Sequence, residues 1–266
     1  MNKRKNECLS AIKSDVSRIY QYLEFVDDAT VMKKVLEKDA GYYPLVSPSL
    51  KSDKQLAVLA LKDLENYERI DESIRYDQEV MNELFKNAAE QNKVTDAFTS
   101  VPLDKRLTLS TFYALFKYCS CASVLRAMQS CYITLKDFYE QNKDNDEYEY
   151  VLNSVLHEKP EFVLCMEEGI IDNNDILHIF AQHPDVLKDV RSKMYVCKVL
   201  KDVDNIITMT RMNSKSIVEL LNNDESRPTR DMLVKVCLGN PAVYKEIPED
   251  MKNDMLLQDI YDKYEE

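Results

Sequence analysis

The chain has 266 residues, 45% of them hydrophobic, which is enough to bury a substantial core in one large domain or two small ones. Its 35 basic and 47 acidic residues give a net charge of −12, which argues against a general electrostatic grip on nucleic acid or anionic lipid. The chain has only three glycines, so nucleotide folds built on a glycine-rich phosphate loop are excluded as well.

The spacing of apolar residues favours helices throughout. Glycine and the eight prolines are too few to form the turns that many short strands and tight hairpins would need. Residues 1–26 place apolar side chains at steps of three and four, which predicts a first helix that caps the following repeats. The predicted fold class is all-α, with short two-helix repeats stacked as an α-solenoid-like array.

A recurring sequence pattern supports the repeat prediction. Copies begin at Tyr43, Tyr67 and Tyr244, and each has aliphatic residues at +3 and +7, a basic residue at +8 and an aspartate at +10. The tyrosine and both aliphatic residues are expected along one buried stripe. The aspartates, Asp53 and Asp77 among them, stand where a new apolar-periodic segment begins, so we expect them to cap the next helix.

Further, degenerate copies of the pattern keep the spacing of its apolar residues but lose its basic residue and most of its aspartates. Helix starts are expected at Asp175, Asp231 and Asp254 in the second half of the chain. The degenerate copies comprise Leu187, Val190 and Met194; Phe162, Cys165, Ile170 and Asp172; and Gln91, Val94 and Phe98.

Residues 49–62 and 73–80 resemble an uncharacterised short helical-repeat family found in giant-virus proteins and intracellular bacterial effectors. The family pattern is roughly Leu-Lys-x-Asp-x-Glu-x-Val followed by Ala-Val-Lys, and this chain has Leu50-Lys51-Ser52-Asp53 and Ile74-Arg75-Tyr76-Asp77 at the matching places. The motif names no catalytic residue. The resemblance therefore implies a repeat fold and host-associated biology rather than a reaction.

Charge and composition divide the chain into three predicted parts. These are an N-terminal cap and repeats over 1–106, low-charge central helices over 107–142, and acidic helical repeats over 143–266. The acidity is concentrated in the last part, since residues 143–266 hold 15 basic and 26 acidic groups. An acidic surface of this kind either aids solubility alone or offers a face to a basic partner.

The residue types that usually carry catalysis or metals form no recognisable motif. The histidines His157, His178 and His183 lack the i, i+4 spacing of a metal pair, and we expect them at helix ends or on the surface. Cys119 and Cys121 are separated by one residue and no second pair follows, which does not suit zinc. We predict no catalytic residue, no metal site and no cofactor.

The best candidate for partner binding is a polar run that contains two tyrosines among carboxylates. An amphipathic ring that is not needed in the core can anchor a partner there, although a sulfation or phosphorylation site, or an edge of the core, is at least as good an interpretation. The predicted binding residues are Asp144, Asp146, Glu147, Tyr148, Glu149 and Tyr150.

The function predicted from the sequence is a non-enzymatic protein-protein interaction module, plausibly of a phage, virus or effector, that blocks or recruits a host protein. The partner is expected to be a protein with a basic surface, with no direct nucleic-acid or membrane contact and a cytoplasmic location, in the cell of origin or the host. One alternative is an acidic nucleic-acid mimic that inhibits a nucleic-acid-binding protein. A second alternative is an enzyme whose site is assembled from distant residues, which a deep pocket around the histidines would favour.

Overall fold

The computed structural model describes residues 3–265, and their regular secondary structure is helical, as predicted. No strand forms among them, and the one extended pairing is an isolated bridge between Glu168 and Ile171. No helix within residues 3–265 has the length and apolar character needed to cross a membrane.

Two compact units divide the chain, Met1–Tyr148 and Glu149–Glu266. The predicted central helices, 107–142, belong to the first unit rather than standing apart. The α-helices that lie in the first unit are α1 Lys3–Ser14, α2 Ala29–Lys38, α3 Lys54–Ala60, α4 Glu72–Arg75, α5 Gln78–Glu90, α6 Val94–Ser100, α7 Leu103–Arg106, α8 Leu109–Tyr118, α9 Cys121–Ser130 and α10 Leu135–Asn142.

Helix α11, Tyr148–Glu158, begins at the boundary, and the remaining α-helices follow in the second unit. They are α12 Asn173–Gln182, α13 Tyr195–Val199, α14 Val203–Met212, α15 Ser216–Asn222, α16 Arg230–Gly239, α17 Val243–Glu246 and α18 Met255–Glu265. Short 3-10 helices alternate with α-helices in both units, at Val16–Gln21, Leu23–Phe25, Ala40–Leu45, Pro48–Leu50, Leu64–Arg69, Pro160–Cys165 and Pro184–Asp189.

Aspartates begin many of the helices, because their carboxylates accept the amides that a helix leaves unpaired at its start. Asp53 accepts from the amides of Gln55 and Leu56 at 2.9 and 3.1 Å, and Asp77 accepts from Glu79 at 2.9 Å, which confirms both predicted caps. Asp254 likewise accepts from Leu256 at 3.0 Å.

Two predicted helix starts were misplaced by two or three residues. Helix α12 is capped by Asp172 rather than Asp175, and α16 is capped by Thr229 rather than Asp231. The cause is that the helix dipole also favours acidic residues inside the first turn, where Asp175 and Asp231 lie. An acidic residue near a helix start therefore does not by itself identify the cap.

The repeat signature buries its tyrosine and its first aliphatic residue but not the second. Tyr43, Tyr67 and Tyr244 are buried, as are the residues at +3, whereas those at +7 are half-buried. The predicted single stripe is interrupted because the +3 residue is extended, with φ −68° and ψ 142° at Ile70. A second short helical turn then begins, so the two aliphatic residues do not share one helix face.

In two of the three copies the basic residue of the signature bonds across this interruption. The Arg75 guanidinium donates to the carbonyl of Ile70 at 2.6 and 3.1 Å and to that of Glu68 at 2.9 Å. These carbonyls lie where a 3-10 helix ends, so they lack helical partners. Lys252 makes the corresponding bond to the carbonyl of Lys245 at 3.4 Å.

Residues 98–108 repeat the contacts of the signature in a different alignment from the predicted copy of Gln91, Val94 and Phe98. Arg106 donates to the carbonyls of Val101 and Thr99 at 2.7 and 2.5 Å, in the same pattern as Arg75. Its guanidinium lies 5.8 Å from the centre of the Phe98 ring, so Phe98 occupies the tyrosine position and not the +7 position. Thr108 takes the aspartate's place as the cap of α8.

Within each unit the helices contact one another in two series. In the first unit α1, α2, α3, α5 and α8 contact one another in that order, while Ala40–Leu45, Leu64–Arg69, α6 and α9 form the second series. In the second unit α12, α14, α16 and α18 form one series, and Pro160–Cys165, Pro184–Asp189, α15 and α17 form the other. The helices of both series bury their apolar sides against their neighbours within the unit.

Candidate interaction surface

The turn before α11 carries the acidic segment, which we define as residues 144–150. Asp144, Asp146 and Glu147 are exposed in the turn between α10 and α11. The Asn145 side chain orders this turn by accepting the Glu147 amide at 2.9 Å, and the Asn145 backbone carbonyl accepts the Tyr148 amide, also at 2.9 Å. The three carboxylates project from a hydrogen-bonded turn.

The two tyrosines of the acidic segment have different environments. Tyr148 is 4% exposed, and its ring lies 5.9 Å from that of Phe138 and 5.8 Å from that of Tyr139. Burial raises the pKa of its hydroxyl well above the ordinary value. Tyr148 therefore matches the alternative of a core residue rather than that of a binding anchor, because its ring fills an aromatic cluster of the first unit.

Tyr150 is the exposed aromatic residue of the segment. Its side chain is 78% exposed, and it lies in the second unit together with the exposed Glu149. Asn153 and His157, which are also exposed, follow it on α11 at +3 and +7, so the three side chains share one stripe of the helix. The acidic segment thus leads into a polar stripe of α11 that begins with an aromatic ring.

All three histidines border one groove of the second unit, which the sequence did not predict. The groove has a volume of about 240 Å³ and is lined by Asn153, Leu156, His157, Asp175, His178, Ile179, Gln182 and His183. His183 reaches it because the chain leaves the helix there, with φ −127° and ψ 69°, so the spacing on a continuous helix does not apply. We name this feature the histidine groove.

The histidine groove is an open surface feature rather than a buried catalytic pocket. His157 and His178 are exposed and His183 is half-buried. Within residues 3–265 no three histidine, cysteine or acidic side chains lie close enough to hold a metal ion. In the predicted cysteine cluster, the buried Cys119 thiol donates to the carbonyl of Phe85 at 3.7 Å.

No protein-family model matches this sequence, and neither the curated proteins nor the solved structures contain a match to it. The function proposed below therefore rests on the residues of this chain alone.

Proposed function

We propose that this protein is a non-enzymatic protein-binding module built from α-solenoid-like two-helix repeats, and that its acidic segment binds a basic surface of a partner protein. The observation that carries the proposal is that the residues of the repeat signature and the acidic segment have different surroundings. Signature residues of the repeat bond to the chain's own backbone, whereas Asp144, Asp146, Glu147, Glu149 and Tyr150 are exposed to solvent.

The array-like arrangement is supported by bonds that recur between neighbouring copies. The amide of Asp71 donates to the carbonyl of Lys51 in the preceding copy at 3.3 Å. The amide of Ser47, at the equivalent position, donates to the carbonyl of Val26 at 3.1 Å. Proteins made of stacked repeats contact mainly their sequence neighbours and present extended surfaces to partners.

The chemistry of the acidic segment suits a basic partner. Exposed carboxylates add little to folding stability, yet they raise the association rate and discriminate against acidic partners. Charge alone gives weak and salt-sensitive binding, and the exposed Tyr150 ring supplies apolar contact of the kind found in binding hot spots. The partner class is therefore a protein with a basic patch next to an apolar pocket.

The test is affinity capture from a cell lysate with three matched baits. The first bait is the unchanged protein, and the second carries Asp144→Lys, Asp146→Lys, Glu147→Lys and Glu149→Lys. The third carries the same charge change at the exposed Glu65, Glu68, Glu72 and Glu90.

We expect basic proteins that are recovered with the first and third baits and lost from the second. Equal recovery with all three baits would remove the acidic segment from the binding site.

The histidine groove is open rather than deep, yet the three imidazoles along it suggest a second candidate, an enzyme whose site uses them for proton transfer. Histidine is the side chain most often used for this purpose, and Asp175 lies in the same lining. The imidazole proton resonances of His157, His178 and His183 report directly on occupancy of the groove. Metabolite mixtures that shift all three support the enzyme candidate, and mixtures that leave them unmoved contradict it.

A further inference from the structure

The first unit has an apolar groove between α1 and α2 that is rimmed by lysines. Its volume is about 510 Å³, within the range of ligand-binding clefts. Leu9 and Ile12 form the apolar floor, and the remaining lining residues are Lys13, Thr30, Lys34, Glu37 and Lys38. We call it the α1–α2 groove.

The rim of this groove carries an excess of positive charge. Lys34 is paired with Glu37 at 2.7 Å, so these two charges offset each other. Lys38 donates to the backbone carbonyl of Lys13 at 2.5 Å, and its charge interacts with the nearby Asp15 carboxylate without forming an ion pair. Lys13 and Lys38 make no ion pair with any residue in the described range 3–265. An occupant of this groove must combine apolar side chains with carboxylates.

Helix α18 presents that combination on its outer side. Met255 is 80% exposed and Leu256 is 45% exposed in the first turn of the helix. Asp259 and Asp262 follow Met255 at +4 and +7, which places them on the same face, and both are exposed. Within the described part of the chain neither carboxylate has an ion-pair partner.

We propose that α18 of one copy docks into the α1–α2 groove of a second copy, so that the protein associates head to tail. Met255 and Leu256 cover the floor formed by Leu9 and Ile12, while Asp259 and Asp262 face Lys13 and Lys38. This is the recognition of an amphipathic helix by a groove, in which apolar anchors supply the affinity and charges fix the orientation. The contact is heterologous, because a different surface of each copy takes part.

Reversing the charges on one side tests the contact directly. Sedimentation velocity is measured from about 1 to about 300 μM, which spans the dissociation constants expected of a small interface. The unchanged protein is expected to increase its average mass with concentration, and added salt should reverse the increase because the rim contacts are exposed. Lys13→Glu/Lys38→Glu alone, or Asp259→Lys/Asp262→Lys alone, should remain monomeric, since each variant brings like charges together.

Mixing the two variants distinguishes loss of this contact from loss of folding as the reason that each variant alone stays monomeric. An equimolar mixture of the two variants contains one matched pair of unchanged surfaces and one matched pair of reversed surfaces, so association should return. The variant with all four changes should also associate. Lys93→Glu/Lys136→Glu is the matched control, because it alters the same charge at exposed lysines outside the groove, and it should associate like the unchanged protein.

Three results would overturn the proposal. The first is an unchanged protein that stays monomeric over the whole concentration range, which would leave the groove to a different acidic partner. The second is association of the two single-sided variants at the unchanged strength, and the third is a mixture that fails to associate. None of these results depends on whether the acidic segment binds a partner.

Discussion

The guanidinium of Arg106 donates to the carbonyl oxygen of Val101 at 2.7 Å, five residues earlier in the chain, and Arg75 makes the same bond to Ile70. Each bond bridges the break between two successive short helices. Arg191 reaches the corresponding carbonyls of Lys188 and Val190 at 3.0 and 3.1 Å from a different place in the sequence. At these three places a cation lies over the carbonyls, and its position in the sequence is not fixed.

Replacing Arg106 by Met should lower the free energy of unfolding by about 1–2 kcal/mol, the range for hydrogen bonds from a charged group that is partly exposed. Methionine keeps much of the packing over Phe98 while leaving the carbonyls of Val101 and Thr99 without this donor. Urea unfolding monitored by circular dichroism measures the change. Arg126→Met is the control, because the exposed Arg126 side chain should contribute little. Equal losses for the two variants would refute the proposed role of Arg106.

Replacing Tyr132 by Gly should stabilise the protein by about 0.5–1 kcal/mol. Tyr132 has φ +56° at the end of α9, where its amide donates to Gln129, and its ring is 96% exposed. A left-handed conformation is costly for a tyrosine, and the ring recovers no packing energy. Asn92, with the same φ after α5, is the comparison, because asparagine tolerates this conformation and Asn92→Gly should gain less. A lower melting temperature for Tyr132→Gly would contradict the argument.

The Asp77 cap should lose its contribution in acid. The hydrogen bond from Lys54, at 2.7 Å, and the amide of Glu79 hold the pKa of the Asp77 carboxyl below its usual range. Because the folded-state pKa is depressed, this stabilisation is complete above the ordinary value of about 3.9 and disappears as pH falls through the folded-state pKa. Asp77→Ala should therefore cost about 1 kcal/mol at neutral pH and progressively less below about pH 4.

Paired thermal melts of the unchanged protein and Asp77→Ala across this pH range provide the measurement. A difference in stability that stays constant down to pH 2 would mean that the carboxylate charge contributes nothing to the cap.

The thiol of Cys131 should react with iodoacetamide much faster than that of Cys237. Burial raises the pKa of the Cys237 thiol to about 11, so at pH 8 only about one molecule in a thousand carries the reactive thiolate. Cys131 is half-buried in the turn after α9, where reagent can reach it. Peptide mapping after brief alkylation of the native protein gives the two rates. Similar rates would show that α16 opens readily, which is incompatible with the buried position of Cys237.

The sequence predicted the helical class and several caps because these depend on local spacing, as at Asp53 and Asp77. It identified the basic residue of the repeat without its role, since the carbonyls that Arg75 contacts become unpaired only when the 3-10 helix ends. The copy at residues 98–108 could not be aligned by residue type, because Phe98 stands in the tyrosine position and Thr108 in the aspartate position. Phe98 still packs under the arginine, and Thr108 still caps the next helix. The histidine groove depends on packing between helices and on the turn at His183, neither of which leaves a local pattern.

In the seven residues of the acidic segment, too, the local sequence does not determine which side chains are buried. Tyr148 and Tyr150 have nearly identical neighbours in the sequence, yet one ring fills the aromatic cluster with Phe138 and the other is 78% exposed. Two residues apart on a helix correspond to a rotation of about 200°, so the two rings face opposite sides. Tyr148 is buried because it faces Phe138 and Tyr139, and Tyr150 is exposed because it faces away from them.

Site-specific photo-crosslinking from position 150 tests the proposed function most directly. A photoreactive phenylalanine analogue replaces Tyr150 in one protein and Tyr132, the 96% exposed comparison, in another, and both are irradiated in lysate. We expect position 150 to form an adduct with a protein that has a basic surface, and we expect the adduct to disappear when Asp144, Asp146, Glu147 and Glu149 are changed to Lys. An adduct that survives these four changes, or identical adducts from positions 150 and 132, would contradict the proposal that the acidic segment is the binding site.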